Sequence, residues 1–130
     1  MIEWSDKYKT GIELVDEQHK ELFRLFNKIY DLYLNEFLMD KYDQIITAVE
    51  ELKEYTKHHF KAEEEYMVSI RYNKFFEHKL KHEDFIRKID TIDYNIIDNN
   101  QQSELLDILK FVSNWLIEHV ITVDKQIPVK

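Results

Sequence analysis

Cysteine is absent from the 130-residue chain, and glycine and proline occur once each. The lack of thiols excludes disulfides, thiolate zinc sites, iron–sulfur clusters, covalently attached c-type haem and a cysteine nucleophile. Gly11 and Pro128 lie near the two ends, so residues 12–127 contain neither of the residues that usually break helices and strands. Because a β-sandwich or β-barrel needs many turns, the sequence favours helices, with any metal held by nitrogen and oxygen ligands.

Basic residues are outnumbered: the chain carries 18 Lys and Arg against 26 Asp and Glu, for a formal net charge of −8 at pH 7. A negative surface repels phosphate backbones, so we expect no nucleic-acid partner. Long apolar runs are also missing, since the charged N-terminal segment contains no apolar signal-peptide region and no later segment is apolar for long enough to span a membrane. We therefore expect a cytoplasmic protein without a membrane partner.

Apolar residues recur every three or four positions in four stretches, which is the spacing of amphipathic helices. These stretches cover residues 16–36, 40–69, 73–91 and 103–123. The connections between them are too short for crossovers, so consecutive helices are expected to be antiparallel. At 130 residues the chain has the size of one domain. We predict an all-α fold: an up-down-up-down antiparallel four-helix bundle over residues 16–127 with an N-terminal arm over residues 1–15, in a single domain of residues 1–130.

Polar side chains occupy several positions on the predicted inward faces, where apolar residues are the rule. They are His19, His59, Glu63, His78, His82 and His119. His59 and Glu63, like His78 and His82, are four residues apart, so both side chains of each pair point from the same side of a helix. Burying a carboxylate among imidazoles is costly unless a hydrogen-bond network or a metal satisfies them. Each pair is therefore a candidate two-ligand clamp for a metal.

Three further polar residues near these pairs do not share their faces. His58 lies off the stripe, and Glu64 is rotated by about 100° from the face of Glu63, so both are expected at the surface. Asp124 follows His119 by five residues, which places the two about 140° apart on an ideal helix. Asp124 joins the cluster only if it lies at a helix end or if a local π-type turn brings it back.

A single histidine on an apolar face is usually a hydrogen-bonded core residue, but five histidines and one glutamate from four helices have no such explanation. We interpret the set as a metal site. Imidazole and carboxylate without thiolate suit iron, zinc, copper or nickel, and six or seven ligands exceed the four of a tetrahedral zinc ion. The ligand count favours two ions that share carboxylates. The Glu-x-x-His pairs of ferritin-like di-iron proteins do not occur in the sequence.

Four strings, one in each predicted helix, resemble the hemerythrin family, in particular its stand-alone bacterial members. The strings are VDEQHKELF with His19, HHFKAEEEYM with His59 and Glu63, EHKLKHEDF with His78 and His82, and WLIEHVITVDK with His119 and Asp124. The opening segment EWSDKYKTGIELVDEQH resembles the family's N-terminal arm. The resemblance runs from about Trp4 to Lys125, with the four motifs in the family's order.

The resemblance implies a non-haem site with two iron ions, joined by an oxo or hydroxo bridge, that binds O2 reversibly. Matched motif by motif, the ligands of one iron are His78, His82 and His119, those of the other are His19 and His59, and the residues that bridge both are Glu63 and Asp124. The second iron then has one position open for O2 or for a small anion such as azide. One departure from the family's pattern is the segment 125–128, which lacks the aromatic residue often found there.

Four apolar side chains near these histidines are candidates for the wall of the O2 pocket: Phe60, Trp115, Leu116 and Val120. Phe60 follows His59, and the other three lie within about one helical turn of His119. All four are equally ordinary as core residues. The resemblance implies an oxygen carrier, store or sensor, and we expect no enzymatic activity.

Two other functions stay open. One is a di-iron peroxidase, or a protein that scavenges NO or peroxide at the same irons, which rapid turnover of peroxide with a reductant would reveal. The other is a metal-stabilised interaction module for signalling partners, which we do not favour because a chain of this length leaves no room for an appended domain. The sequence indicates no particular protein partner.

Overall fold

The computed structural model describes residues 2–35, 37, 41–95 and 102–129, and for residues 102–104 the backbone alone. Within this part of the chain the long elements are all helices: α1 is Glu13–Leu34, α2 is Lys41–Ser69, α3 is Phe75–Asp90 and α4 is Gln102–Glu118. No strand occurs among the described residues, which confirms the all-α class. Helix α1 begins three residues before its predicted start. The predicted helix bounds at residues 36 and 40 lie outside the described residues.

Contacts between neighbouring helices show that the helices are antiparallel, because the residue numbers rise along one helix as those of the contacting residues fall along the other. The pairs are Gln18–His59 and Lys28–Glu51 between α1 and α2, Lys53–Asp90 and Glu64–His82 between α2 and α3, and His78–His119 and Phe85–Phe111 between α3 and α4. This confirms the predicted up-down-up-down bundle. None of the described helices is long and apolar enough to cross a membrane.

Asp16, in the first turn of α1, fastens the N-terminal arm to the bundle. Its carboxylate accepts hydrogen bonds from the backbone N–H of Thr10 at 2.8 Å, the hydroxyl of Thr10 at 2.7 Å and the backbone N–H of Gly11 at 3.2 Å. Gly11 has a φ of +89°, and a Cβ added to it would lie 3.0 Å from Cγ2 of Val129. Glycine is therefore required where the arm turns into α1, since other residues are strained in this left-handed conformation.

Two apolar clusters fill the bundle, and a level of polar side chains lies between them. The larger cluster takes residues from all four helices and from the arm. The smaller cluster closes one end of the bundle and consists of Ile12, Val15, Met67 and Ile127. Ile127 comes from the segment 125–128 that lacks the family's aromatic residue, and it is only 2% exposed. An aliphatic side chain therefore seals the end of the bundle beside the polar level.

Candidate metal centre

The polar level between the two apolar clusters contains all seven side chains predicted as metal ligands. None of them is more than 5% exposed: His19, His59, Glu63, His78, His82, His119 and Asp124. Helices α1, α2 and α3 and the segment directly after α4 all contribute, because the four predicted inward faces meet at this level. The structure thus brings the predicted set together in one buried site. Their role as metal ligands stays a prediction.

The donor atoms of these side chains form two groups, and within each group all of them lie within 4.8 Å of one another. One group consists of Glu63, His78, His82, His119 and Asp124, and the other of His19, His59, Glu63 and Asp124. Both carboxylates belong to both groups. The arrangement can hold two cations side by side, with two carboxylates between them.

A π-helical turn, His119–Val123, places Asp124 in the site. The backbone N–H of Asp124 donates to the carbonyl oxygen of His119, five residues earlier. The Asp124 carboxylate then lies 3.0 Å from Nε2 of His119, 2.9 Å from Nε2 of His78 and 2.9 Å from Nε2 of His19. The sequence allowed Asp124 to join the cluster only if it lay at a helix end or if a π-type turn brought it back, and the structure shows the π-type turn. Such turns occur frequently at functional sites in helices.

Several atoms at the centre of the site have close neighbours but no hydrogen-bond partner among the described residues. They are both nitrogens of His19 and all four carboxylate oxygens of Glu63 and Asp124. Nε2 of His78 also lies 3.1 Å from Nε2 of His119, so two imidazole nitrogens face each other. Buried oxygen and nitrogen atoms left unpaired are costly, and a cation that accepts their lone pairs removes that cost. The donor set fits non-haem iron, which binds imidazole and carboxylate.

Two histidines of the site are oriented by hydrogen bonds on their outer nitrogens. Nδ1 of His59 donates to the amide oxygen of Gln18 at 2.7 Å, and Nδ1 of His82 donates to the carboxylate of Glu64 at 2.8 Å. A proton on Nδ1 leaves the lone pair on Nε2, the nitrogen that points into the site. Such outer partners fix the tautomer and the ring orientation of metal-binding histidines.

The position of Glu64 corrects the expectation from its helix face. Glu64 was expected at the surface, but its side chain is only 22% exposed because rotation away from Glu63 points it toward α3, where His82 lies. Gln18 was missed altogether; its place directly before His19 at the start of an inward stripe was the available signal. The expectation for His58 is confirmed, since its side chain is exposed.

Opposite charges in the site shift the pKa values of its members. Burial alone would lower the pKa of His19 and His78, but the carboxylates of Asp124 and Glu63 raise both to about 9. Burial lowers the pKa of His59 more than Glu63 raises it. Burial would raise the pKa of Glu63, but the neighbouring histidines hold it well below its usual value. The carboxylates are thus ionised and ready to bind cations.

Aromatic rings pack directly on the histidines of the first group. The ring of Phe60 stacks on His82 with centroids 3.7 Å apart and planes 3° from parallel, and Trp115 stacks on His119 at 4.3 Å and 11°. Leu116 and Val120, the other two candidates for the O2 pocket, are both buried in the larger apolar cluster. The structure thus places all four next to the site or in the core beside it, and their role as a pocket wall stays a prediction.

Comparison with known proteins gives a family match over nearly the whole chain. Residues 10–127 match the family model described as the hemerythrin HHE cation binding domain. A bacteriohemerythrin of Clostridium acetobutylicum is 42% identical over 126 residues, which cover 97% of this chain and 98% of the relative. A hemerythrin of Themiste dyscrita is 29% identical over 121 residues, which cover 93% of this chain and 86% of the relative.

Solved structures give the same result at the level of the fold. A crystal structure of a wild-type hemerythrin matches with a TM-score of 0.81 and 26% identity, covering 97% of this chain and 94% of the other. A similarity of this size covers the four helices together with the arm that precedes them.

Proposed function

Because the chain belongs to the hemerythrin family, we propose that it binds dioxygen reversibly at a non-haem di-iron centre and acts as an oxygen carrier, store or sensor. The observation that carries the proposal is the pair of buried donor groups that share Glu63 and Asp124. Two ions that share carboxylates account for the whole donor set, whereas one tetrahedral ion leaves several buried donors unused.

The proposed ligands divide between the two irons as the two donor groups do. His78, His82 and His119 would hold one iron, His19 and His59 would hold the other, and Glu63 and Asp124 would bridge both together with an oxo or hydroxo group. The iron with fewer protein ligands keeps the position for dioxygen or a small anion such as azide. When bound, the ferrous pair supplies the two electrons that dioxygen takes up and recovers them on release.

The residues around the ligands prepare the site for this chemistry. Gln18 and Glu64 hold His59 and His82 with Nε2 directed inward, so these two rings need no reorientation when iron binds. The side chains of Glu63 and Asp124 supply two negative charges, and the other five proposed ligands are imidazoles, which are neutral when they bind a metal. Glu64 adds a third negative charge at the edge, which favours the more highly charged oxidation state of iron.

Buried apolar side chains beside the metal centre explain how dioxygen can leave the site chemically unchanged. Phe60, Leu116 and Val120 are each 2% exposed. In the proposal, these side chains would keep water from the open position, because water that reached it would promote irreversible oxidation of the irons. Trp115 stacks on His119. No observation on the described residues favours the peroxidase or scavenger alternative.

Optical spectra of the anaerobically reduced protein test the proposal, with iron quantified on the same sample. We expect about two irons per chain, a new visible absorption on exposure to air, and return of the reduced spectrum when oxygen is removed. His59→Ala should lower the iron content, while the matched variant His58→Ala should not, because only His59 faces the site. Sustained peroxide turnover with a reductant, or a spectrum that never returns, would contradict reversible binding.

A further inference from the structure

Basic side chains are concentrated at the start of α3 and in the turn before it, although the whole chain has a net charge of −8. Residues 71–81 contain a single acidic residue, Glu77, and four basic ones: Arg71, Lys74, Lys79 and Lys81. None of the four forms an ion pair with a carboxylate of the described residues, whereas lysines and arginines of several other segments do. Their positive charge is therefore free to attract a partner.

Two apolar side chains lie on the surface among these cations. Phe76 is 77% exposed and Leu80 is 59% exposed. They are four residues apart and so share one side of α3, turned away from the side that carries His78 and His82 into the metal centre. Neighbouring exposed apolar side chains with a charged rim are typical of interaction sites, and the charges here favour an acidic partner. We call this surface the basic patch, and it consists of Phe76, Leu80 and the four cations.

Two surface depressions beside the basic patch reach down to histidines of the metal centre. Lys74, Lys81 and His78 line one depression, and Lys81 and His119 line the other. Each depression also has one carboxylate in its wall, so the positive balance comes from the patch as a whole. Nε2 of both histidines points into the site, so Nδ1 lies on the outer side of each ring, where it has no hydrogen-bond partner among the described residues. The outer nitrogens of the other three histidines are buried or covered by a hydrogen-bond partner.

We propose that the basic patch docks an acidic one-electron carrier protein, which returns electrons to the metal centre through the imidazoles of His78 and His119. The role of these electrons rests on the proposed function, because irons that have become ferric must be reduced before dioxygen can bind again. Two carrier molecules each lose one electron, and the two ferric ions each gain one. Electron transfer slows steeply with distance, which favours a carrier seated over these two rings. An anionic membrane surface would match the charge of the patch but would make no use of the histidines beneath it.

Stopped-flow reduction of the ferric, iron-loaded protein by reduced plant-type ferredoxin, an acidic one-electron carrier, tests the route. The rate should fall as salt is added, because salt screens the attraction. Lys74→Glu should slow the reduction several-fold, and the matched control Lys110→Glu, which reverses an exposed charge on α4, should leave it nearly unchanged. Reduced riboflavin, a small uncharged reductant, should act equally on all three proteins. Equal slowing in the two variants, or slowing of Lys74→Glu with riboflavin as well, overturns the docking surface.

Calorimetry with oxidised ferredoxin at low salt measures docking without electron transfer. Phe76→Ser should weaken binding several-fold, and the control Leu34→Ser, at an exposed apolar residue at the end of α1, should not. Binding to vesicles of anionic phospholipid but not to ferredoxin overturns the carrier protein in favour of a membrane surface. If ferredoxin docks and reduces the irons but the reduced protein never binds dioxygen reversibly, the proposed function fails and the docking surface stands.

Discussion

The contact between Glu64 and His82 predicts how strongly a residue outside the ligand set controls the site. In Glu64→Ala, Nδ1 of His82 loses the carboxylate that accepts its proton at 2.8 Å. Removing such an outer partner typically weakens metal affinity about 10- to 100-fold. That range corresponds to about 1.4–2.8 kcal/mol. It agrees with the roughly 1.5–3 kcal/mol of a hydrogen bond to a charged group, which applies with little solvent screening because the Glu64 side chain is only 22% exposed.

Anaerobic titration with Fe2+ against a competing chelator measures this loss. Glu65→Ala is the matched control, since Glu65 is the next residue of the same helix, carries the same charge and is exposed. Glu64→Gln keeps an acceptor oxygen without the charge, so its affinity should lie between those of the unaltered protein and Glu64→Ala. Equal losses in Glu64→Ala and Glu65→Ala would refute the reasoning, because a general charge effect would then explain both.

Three further outcomes follow from the structure. Leu116→Ser should cost about 2–4 kcal/mol and should shorten the lifetime of the oxygenated protein, as followed by its visible spectrum, far more than Leu105→Ser; equal lifetimes remove Leu116 from the pocket wall. In the metal-free protein, the pKa of His19 and of His78 is raised from 6.5 to about 9. The stability from their protonated forms is therefore complete below pH 6.5 and lost as the pH rises toward 9, so the unfolding temperature should fall over this interval; a rising temperature contradicts the shift. Gly11→Ala should cost about 1–2 kcal/mol in chemical denaturation, because the residue has positive φ and alanine would crowd its neighbour; an unchanged midpoint would show that the arm relaxes.

Features that depend on one helix alone could be predicted from the sequence. His59 and Glu63 share a face because they are four residues apart, and the structure places both in the site. The apolar stripes predicted the helices and their inward sides in the same way. The order of the four helices along the chain and the short connections between them were then enough to predict an antiparallel bundle.

Features that depend on the space between helices could not be predicted in this way. Glu64 lies off the inward face of α2, and only the position of α3 shows that its carboxylate contacts His82. Asp124 required a departure from regular helix geometry, which spacing could state as a condition but not decide. The family resemblance predicted Asp124 in the site from the sequence. A family motif reflects how the helices pack in its members, and the periodicity of one sequence contains no such information.

The π-helical turn makes the site sensitive to the number of residues that follow His119. Its backbone bond spans five residues, so it gives His119 and Asp124 the facing positions that His59 and Glu63 obtain from ordinary spacing of four. Deleting one residue between 120 and 123 would let a regular α-helix present the same carboxylate to the same imidazole. Inserting one would turn the carboxylate away by about 100°. We therefore expect changes of length in this segment to be unequal in effect, with a one-residue insertion more damaging to the site than a one-residue deletion.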